Sequence, residues 1–387
     1  MDAAVFDDLK DALADRGPAA AIDRLCQVLR EQKDYSSLFY ALLLKKRHEL
    51  GVSPVPTGSA QDLPEETHES YEEAIRLAGR DVGQLFLKDG DIPKAWIYFR
   101  MLGENLPVYE ALSQYQPRES DDIQQLVDIA FHQGVHPRKG FDLLLERYGI
   151  CSAITMVGSQ EMGMPPDVRD YCIRQLVRAL HAELCQRLKA EITHHDGSAP
   201  DVSNVRDLMS GRDWLFQEDF YHIDISHLSA VVQMSIFLSQ GEERRLAREL
   251  CDYGKRLSPR FQNPGEPPFE NQYQDYSIYL AALDGEAVEQ AVDHFRDKAD
   301  GADPENEGTR PAEVLVNFLV RLGRPKEALR VARQHLASVN HRPLNCPSLV
   351  ELCQRTKDFR ALAEIAREQG DLVHFMAGLV AASKNEN

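Results

Sequence analysis

Residues 82–107 decide the fold, and their sequence is VGQLFLKDGDIPKAWIYFRMLGENLP. Apolar residues recur at helical spacing on both sides of Gly90, which favours a tight turn between two helices. The small residues Gly83 and Ala95 allow these helices to approach closely, and two phenylalanines fill the space between them. We expect Pro107 to end the second helix, because proline cannot continue a helix interior.

The same helical periodicity continues over most of the 387 residues. It occurs in segments of about 12 to 20 residues, joined by short turns rich in Gly, Pro and Asp. Good helix formers dominate the composition, and β-branched runs of strand length are scarce. The sequence therefore predicts an all-α protein built as an α-solenoid of antiparallel helical hairpins, with an α/α toroid as the architectural alternative.

The quoted stretch also matches the spacings of a tetratricopeptide (TPR) repeat. Its matching positions are Val82, Gly83, Phe86, Gly90, Ala95, Phe99, Leu102 and Pro107. A weaker copy comprises Leu315, Leu319, Gly323, Ala328 and Ala332. The chain therefore resembles TPR-like proteins over one good repeat and several degenerate ones. This resemblance implies an α-solenoid that binds proteins or peptides along a concave face, without catalysis. Generic helix hairpins without TPR ancestry are the alternative interpretation.

Three longer breaks divide the chain, at residues 50–64, 193–204 and 258–269. Each is rich in Pro, Gly, Ser or other polar residues, a composition that is typical of linkers. The breaks separate four predicted regions, which are N-terminal helical hairpins at 1–49, a TPR-like region at 65–192, a central aromatic and histidine-rich segment at 205–257, and C-terminal hairpin repeats at 270–387.

The chain is acidic, with 62 Asp and Glu against 44 Lys and Arg and a net charge of −18. This balance repels a phosphate backbone, so we expect no nucleic-acid partner. The longest nearly apolar stretch, residues 228–238, is about half of what a bilayer requires, so we expect no membrane insertion. An acidic start and seven scattered cysteines without a CxxC pair predict a cytoplasmic protein with reduced thiols.

A polar cluster before one predicted helix offers the first candidate chemistry. His222, Asp224 and His227 combine imidazole and carboxylate groups, which suit a catalytic transition-metal site. Their spacing also fits a structural role, because Asp224 or Ser226 at a helix start can accept hydrogen bonds from backbone N–H groups. We favour capping, and a metal site remains the alternative.

Two further histidines, His132 and His136, are spaced like ligands one helical turn apart. The residues around them argue against a shared helix face. Gly134 is a natural helix terminator, and Pro137 fits the first turn of the next helix, which leaves His136 at a cap. These histidines join a metal site only under the alternative interpretation.

The central segment has an unusual mixture of aromatic and charged residues. Interleaved aromatic and polar groups on a non-helical stretch are typical of a binding surface or pocket wall, and equally of the junction between two solenoid halves. The residues that we assign to a candidate binding surface are Trp214, Phe216, Tyr221, Tyr273 and Tyr276.

These observations favour a non-enzymatic scaffold that binds a protein or peptide and needs no cofactor. No HExxH, P-loop, GxGxxG or GxSxG motif occurs in the sequence. The alternative is a metal-assisted enzyme with a site around His222, Asp224 and His227, which would hold a divalent transition metal.

Overall fold

The computed structural model describes residues 3–55, 63–160, 163–262, 264–303, 308–337 and 344–385. Over these ranges the chain forms 18 α-helices and several short 3-10 turns, with no strand. The predicted all-α class is therefore confirmed. The finer prediction of a solenoid of hairpins stays a prediction, and so does TPR ancestry. The predicted linker at 50–64 lies partly outside the described residues.

The chain divides into two compact units, Met1–Gly149 and Ile150–Asn387. The division falls inside helix α7 (Pro137–Gln160), where Gly149 has φ 78° and ψ 178° and interrupts the helical backbone. Glycine adopts positive φ without the steric penalty of a Cβ atom. One glycine is therefore enough to interrupt the helical backbone between two helical segments. The sequence placed no boundary here, because residue 149 falls within the predicted 65–192 region.

The first unit consists of helices that pack mainly against their neighbours in sequence. They are α1 (Ala3–Glu31), α2 (Tyr35–Glu49), α3 (His68–Lys88), α4 (Ile92–Leu102), α5 (Leu106–Gln114), α6 (Gln124–Val127) and the first part of α7. Gly17, at φ 82°, divides α1 into two helical segments.

The hairpin of α3 and α4 confirms the close packing that the sequence predicts. Ala95 is fully buried, and a Cβ atom added to Gly83 would lie only 2.7 Å from Cε2 of Phe99. Gly90 turns the chain at φ 81°, and Asp91 caps α4 by accepting a hydrogen bond from the backbone N–H of Lys94 at 3.1 Å. The hairpin is thus held by small residues that admit a large ring.

The predicted role of Pro107 was wrong. Helix α4 ends earlier, at Leu102, because Gly103 adopts the left-handed conformation at φ 71°. Pro107 instead lies in the first turn of α5. That position suits proline, since its fixed φ is helical and the first-turn N–H that it lacks has no partner within the helix.

The second unit contains the end of α7 and eleven further helices. They are α8 (Pro166–Asp196), α9 (Val205–Met209), α10 (Ile225–Met234), α11 (Glu242–Arg256), α12 (Gln272–Leu283), α13 (Val288–Gly301), α14 (Arg310–Arg321), α15 (Pro325–Leu336), α16 (Leu349–Thr356), α17 (Phe359–Gln369) and α18 (Leu372–Asn385). The long helix α8 packs against α9, α10 and α11, and from α11 onwards each helix packs against the next.

The weaker repeat copy forms the hairpin of α14 and α15. Leu315, Leu319, Ala328 and Ala332 are all buried, and Gly323 turns the chain at φ 74°. The four buried positions form the apolar interior of this hairpin, as their helical spacing predicts.

Among the described residues of the second unit, four carboxylates are buried, and each is bound by groups from elsewhere in the chain. A buried charge is tolerated only when it is paired and hydrogen-bonded. Arg174 and Arg178 of α8 bind Glu243, while Lys298 and His294 of α13 bind Asp275 at 3.0 and 2.8 Å. The backbone N–H of Asn345 donates to Glu313, the third of these acids, at 2.7 Å.

The fourth carboxylate, Glu249 of α11, is fully buried and connects three helices. It accepts hydrogen bonds from His181 Nε2 of α8 at 2.8 Å and from the backbone N–H of Val205 of α9 at 2.9 Å. Arg245 binds its other oxygen. Burial lowers the pKa of His181, but hydrogen bonds to Cys185 and Glu249 outweigh it and raise that pKa to about 9.

Substitutions at two glycines of α3 test the packing of the first hairpin. Gly83→Ala should lower the free energy of unfolding by about 1–3 kcal/mol, because the new methyl group overlaps the Phe99 ring. Gly79→Ala is the matched control, since its added Cβ atom lies 3.4 Å from Leu102 Cδ1 and the helix gains about 0.5–1 kcal/mol. Urea unfolding followed by circular dichroism measures both; equal midpoints would contradict the inferred clash.

The His181–Glu249 ion pair predicts a pH-dependent stability. The folded-state pKa of His181, about 9, exceeds its ordinary value of 6.5, so the folded state binds the extra proton. The stabilisation is therefore complete below pH 6.5 and is lost as the pH rises to about 9. Urea unfolding across this window should show a decline in the wild type and a flatter profile in His181→Gln. Parallel profiles would contradict the assignment.

Candidate functional site

A groove between α2 and α3 forms a concave surface in the first unit, with a volume of about 730 Å³. Its floor is apolar and its rim is charged. The residues of α2 that line it follow the spacing of one helix face, and those of α3 form a second such face. The lining residues are Leu42, Lys45, Lys46, Glu49, Glu66, Glu69, Ser70, Glu73, Ala74, Leu77, Ala78 and Asp81.

The groove stays open because α2 and α3 pack through other faces. The hydroxyl of Tyr35 donates to Asp89 at 3.0 Å, and the guanidinium of Arg47 lies 5.8 Å from the centre of the Tyr71 ring. These contacts hold the two helices antiparallel along their buried sides. Leu77 lines the groove and is 56% exposed, so its apolar side chain is accessible there to a partner.

The charges around the groove are unevenly neutralised. Lys45 binds Asp23 of α1 at 2.7 Å, and Arg30 of α1 binds Asp81. Among the described residues no ion pair is found for Glu66 or Glu69. The end of the groove beside the start of α3 is therefore acidic and available to cations.

Asp224, the carboxylate of the predicted metal cluster, has a structural role. Asp224 caps α10, where its Oδ1 accepts hydrogen bonds from the backbone N–H groups of Ser226 at 2.8 Å and His227 at 3.2 Å. The hydrogen bond from the Ser226 hydroxyl, followed by these backbone bonds, lowers the pKa of Asp224. The preferred capping interpretation is confirmed for this residue.

His222 is held by Tyr253, not by the other members of the cluster. Its backbone N–H donates to the Tyr253 hydroxyl at 2.8 Å, and its Nδ1 lies 3.1 Å from the same oxygen. Its Nε2 atom is buried with no hydrogen-bond partner in the described structure, and burial lowers the pKa of the imidazole. Across the described residues, no group of three or more His, Cys, Asp or Glu is placed to hold a metal ion. The metal alternative thus gains no support.

His132 and His136 lie in the first unit, and Gly134 separates them as predicted, at φ 74°. His132 is exposed at the end of a π-helical turn. His136 caps α7, because its Nδ1 accepts a hydrogen bond from the backbone N–H of Lys139 at 3.3 Å. Its ring stacks on Tyr109 at 4.2 Å between centres, and burial lowers its pKa. The two side chains therefore have separate surroundings.

Three of the predicted surface aromatics do lie at least partly exposed in the second unit. Trp214 stacks on the His195 ring with 3.8 Å between centres. The guanidinium of Arg256 lies 4.8 Å from the centre of the Phe216 ring. Tyr221 is 49% exposed and meets another ring edge-on. Each of the three rings therefore has a stacking, edge-on or cation partner within the chain.

Tyr273 and Tyr276 belong to the core, in contrast to the predicted binding surface. They are only 4% and 3% exposed. Gly254 provides the space for Tyr273, since a Cβ atom added there would lie 2.4 Å from the tyrosine ring. Tyr276 stacks on Phe269 at 4.0 Å between ring centres. Both tyrosines lie on the buried face of α12, which the sequence did not distinguish from its exposed face.

Comparison of the chain with protein-family models, with curated proteins and with solved structures finds no match. No helix among the described residues is both long and apolar enough to span a bilayer. The interpretation of function therefore depends on the geometry of the groove and of the side chains described above.

The capping role of Asp224 can be measured directly. Asp224→Ala should lower the free energy of unfolding by about 1 kcal/mol, because two backbone N–H groups of α10 lose their acceptor. Asp224→Asn is the control, since its amide oxygen can still accept those hydrogen bonds. Chemical unfolding should place the Asn variant near the wild type, and equal losses in both variants would exclude capping as the cause.

Proposed function

We propose that this protein is a non-enzymatic scaffold that binds an amphipathic helix of another protein in the α2–α3 groove. The observation that carries the proposal is the exposed apolar floor around Leu77, enclosed by charged helix faces. Apolar surface in a concave, polar-rimmed site is typical of protein interaction. The resemblance to TPR-like proteins supports the same class of function.

The walls of the groove favour a helix over an extended peptide. Both walls are α-helices, whose backbone N–H and C=O groups are used internally, so the groove offers no strand edge for pairing. A partner helix would lay apolar residues at positions i, i+3, i+4 and i+7 against Leu42, Ala74 and Leu77. The lining of α3 from Glu69 to Asp81 extends about 18 Å, which corresponds to roughly three turns of the partner.

Charge defines the second property of the partner. Glu66 and Glu69 lie at one end of the groove without ion-pair partners in the described part of the chain. Lys or Arg residues at the matching end of the partner helix would form ion pairs with these two carboxylates. Electrostatic complementarity of this kind sets orientation and association rate more than affinity. The partner is therefore an amphipathic helix with one basic end.

We further propose that binding takes place in the cytoplasm and requires no cofactor. All seven cysteines are free, which a reducing compartment maintains. The acidic net charge of −18 supports a protein partner over nucleic acid.

A displayed library of amphipathic helical peptides tests the proposal. Peptides selected on the wild-type protein should carry an apolar stripe and a basic end. The Leu77→Asp substitution should reduce their binding affinity by about tenfold or more. Ile97→Asp is the matched control, because Ile97 of α4 is similarly exposed, at 59%, but lies outside the groove. Fluorescence anisotropy measures both affinities.

Substitutions at the charged rim of the groove test the second property of the partner, its basic end. Replacing Glu66 and Glu69 together by Gln should weaken the selected peptides and reduce the salt dependence of binding. Glu110→Gln, on the surface of α5, should change neither. If no peptide is enriched, or if the enriched peptides bind Leu77→Asp as well as the wild type, the groove is not the binding site.

A further inference from the structure

A buried cluster in the second unit joins a thiol, an imidazole and a carboxylate in series. Cys185 Sγ lies 3.7 Å from Nδ1 of His181, whose Nε2 lies 2.8 Å from Glu249. The cysteine and histidine occupy the same face of α8, four residues apart, and the carboxylate comes from α11. Each ring nitrogen of His181 thus contacts one neighbour.

The hydrogen-bond pattern determines which atom carries each proton. Glu249 accepts bonds from Val205 N–H and Arg245 as well as from His181, so its carboxylate is ionised. Burial lowers the pKa of His181, but its hydrogen bonds to Cys185 and to Glu249 raise it to about 9, so the imidazole is protonated at neutral pH. The imidazolium therefore directs an Nδ1–H at the sulfur of Cys185.

We propose that Cys185 is a peroxide-reactive thiol, with His181 as the proton donor and Glu249 as the positioning residue. A cationic imidazolium beside a cysteine stabilises the thiolate, which is the form that reacts with hydroperoxides. This site is independent of the α2–α3 groove, and a failure of either proposal leaves the other standing.

The reaction is balanced by groups already present in the cluster. The thiolate sulfur of Cys185 attacks the distal oxygen of a hydroperoxide, forming an S–O bond as the O–O bond breaks. The sulfur is oxidised by two electrons to a sulfenic acid, and the peroxide is reduced. The departing alkoxide or hydroxide takes the proton from Nδ1 of His181 and leaves as an alcohol or water.

The surroundings of Cys185 select a small oxidant. The residue is 8% exposed, and in its protonated form the thiol donates a hydrogen bond to the carbonyl oxygen of Ser203 at 3.5 Å. This hydrogen bond is lost when the reactive thiolate forms. Ser203 lies in the irregular segment between α8 and α9, whose backbone has no helical ladder. Hydrogen peroxide is close to water in size, whereas bulky alkylating reagents are excluded from such a site.

The other cysteines of the chain provide internal controls. Cys251 of α11 is fully buried, and burial raises the pKa of its thiol to about 12. Cys151 is exposed. If burial alone governed reactivity, Cys185 would resemble Cys251, and if exposure alone governed it, Cys151 would be oxidised first. Activation by His181 instead places Cys185 ahead of both.

The test treats the intact protein with low concentrations of hydrogen peroxide for timed intervals, removes the peroxide, and then unfolds the protein in the presence of dimedone, which traps the sulfenic acids that have formed. Mass spectrometry of the peptides then gives a rate for each cysteine. We expect Cys185 to be labelled at least about tenfold faster than Cys251 and no slower than Cys151. Labelling of Cys185 at the rate of Cys251 overturns the proposal without the use of any variant.

Two variants separate activation from simple access. His181→Gln keeps a hydrogen-bonding side chain but removes the acid, and should slow Cys185 labelling by about tenfold or more while leaving Cys151 unchanged. Glu249→Gln should lower the pKa of His181, so that the labelling rate falls off at a lower pH than in the wild type, a change that a purely structural role would not produce. A His181→Gln protein with native circular dichroism and a wild-type labelling rate would also overturn the proposal.

Discussion

The burial of Glu249 is the constraint on which the second unit depends. A carboxylate without access to water must be surrounded by donors, and the available donors come from three different helices. Because removing one partner of a buried ion pair leaves an uncompensated charge, α8, α9 and α11 can adopt few other arrangements. Glu243 forms a second buried ion-pair cluster about one and two-thirds turns earlier on α11, where it binds two arginines of α8. Together the two acids fix the register of α11 along α8.

The first unit is organised on a different principle. Its central hairpin depends on Gly83 and Ala95, whose small size admits the Phe99 ring between α3 and α4. Its acids, where the structure describes them, remain at least partly exposed, and several of them line the α2–α3 groove. The acidic residues of this chain thus serve two purposes, as internal connectors in one unit and as the rim of a candidate binding surface in the other.

Local features could be predicted from the sequence because they depend on neighbouring residues. The turn at Gly90, the turn at Gly323 and the cap at Asp224 each require only a residue type at a helix boundary. The domain boundary at Gly149 was not predicted, because one glycine between two helical segments does not show locally that the contacts on its two sides belong to different units. Tyr273 was assigned to a surface because composition does not reveal that Gly254, far along the chain, leaves room for its ring.

The candidate sites were harder to predict, since they join distant positions. His181 and Glu249 are 68 residues apart, and no local motif relates them. The α2–α3 groove has a weaker but visible signal. Its lining positions on α2 repeat at i, i+3, i+4 and i+7 and mix leucine with lysine, a pattern that an ordinary solvated helix face also shows. The groove differs from an ordinary solvated helix face through the exposed apolar side chain of Leu77, which is visible only in the folded chain.

The same buried carboxylate links stability to reactivity in the second unit. Burial alone would keep His181 neutral, and a neutral imidazole beside Cys185 would favour the thiol. The hydrogen bonds of His181 to Cys185 and to Glu249 outweigh burial and keep the imidazole charged. The positive charge of His181 next to the Cys185 sulfur is therefore a consequence of how α8 and α11 pack. A substitution that disrupts the packing of α8 against α11 would therefore lower both the free energy of unfolding and the reactivity of the Cys185 thiol.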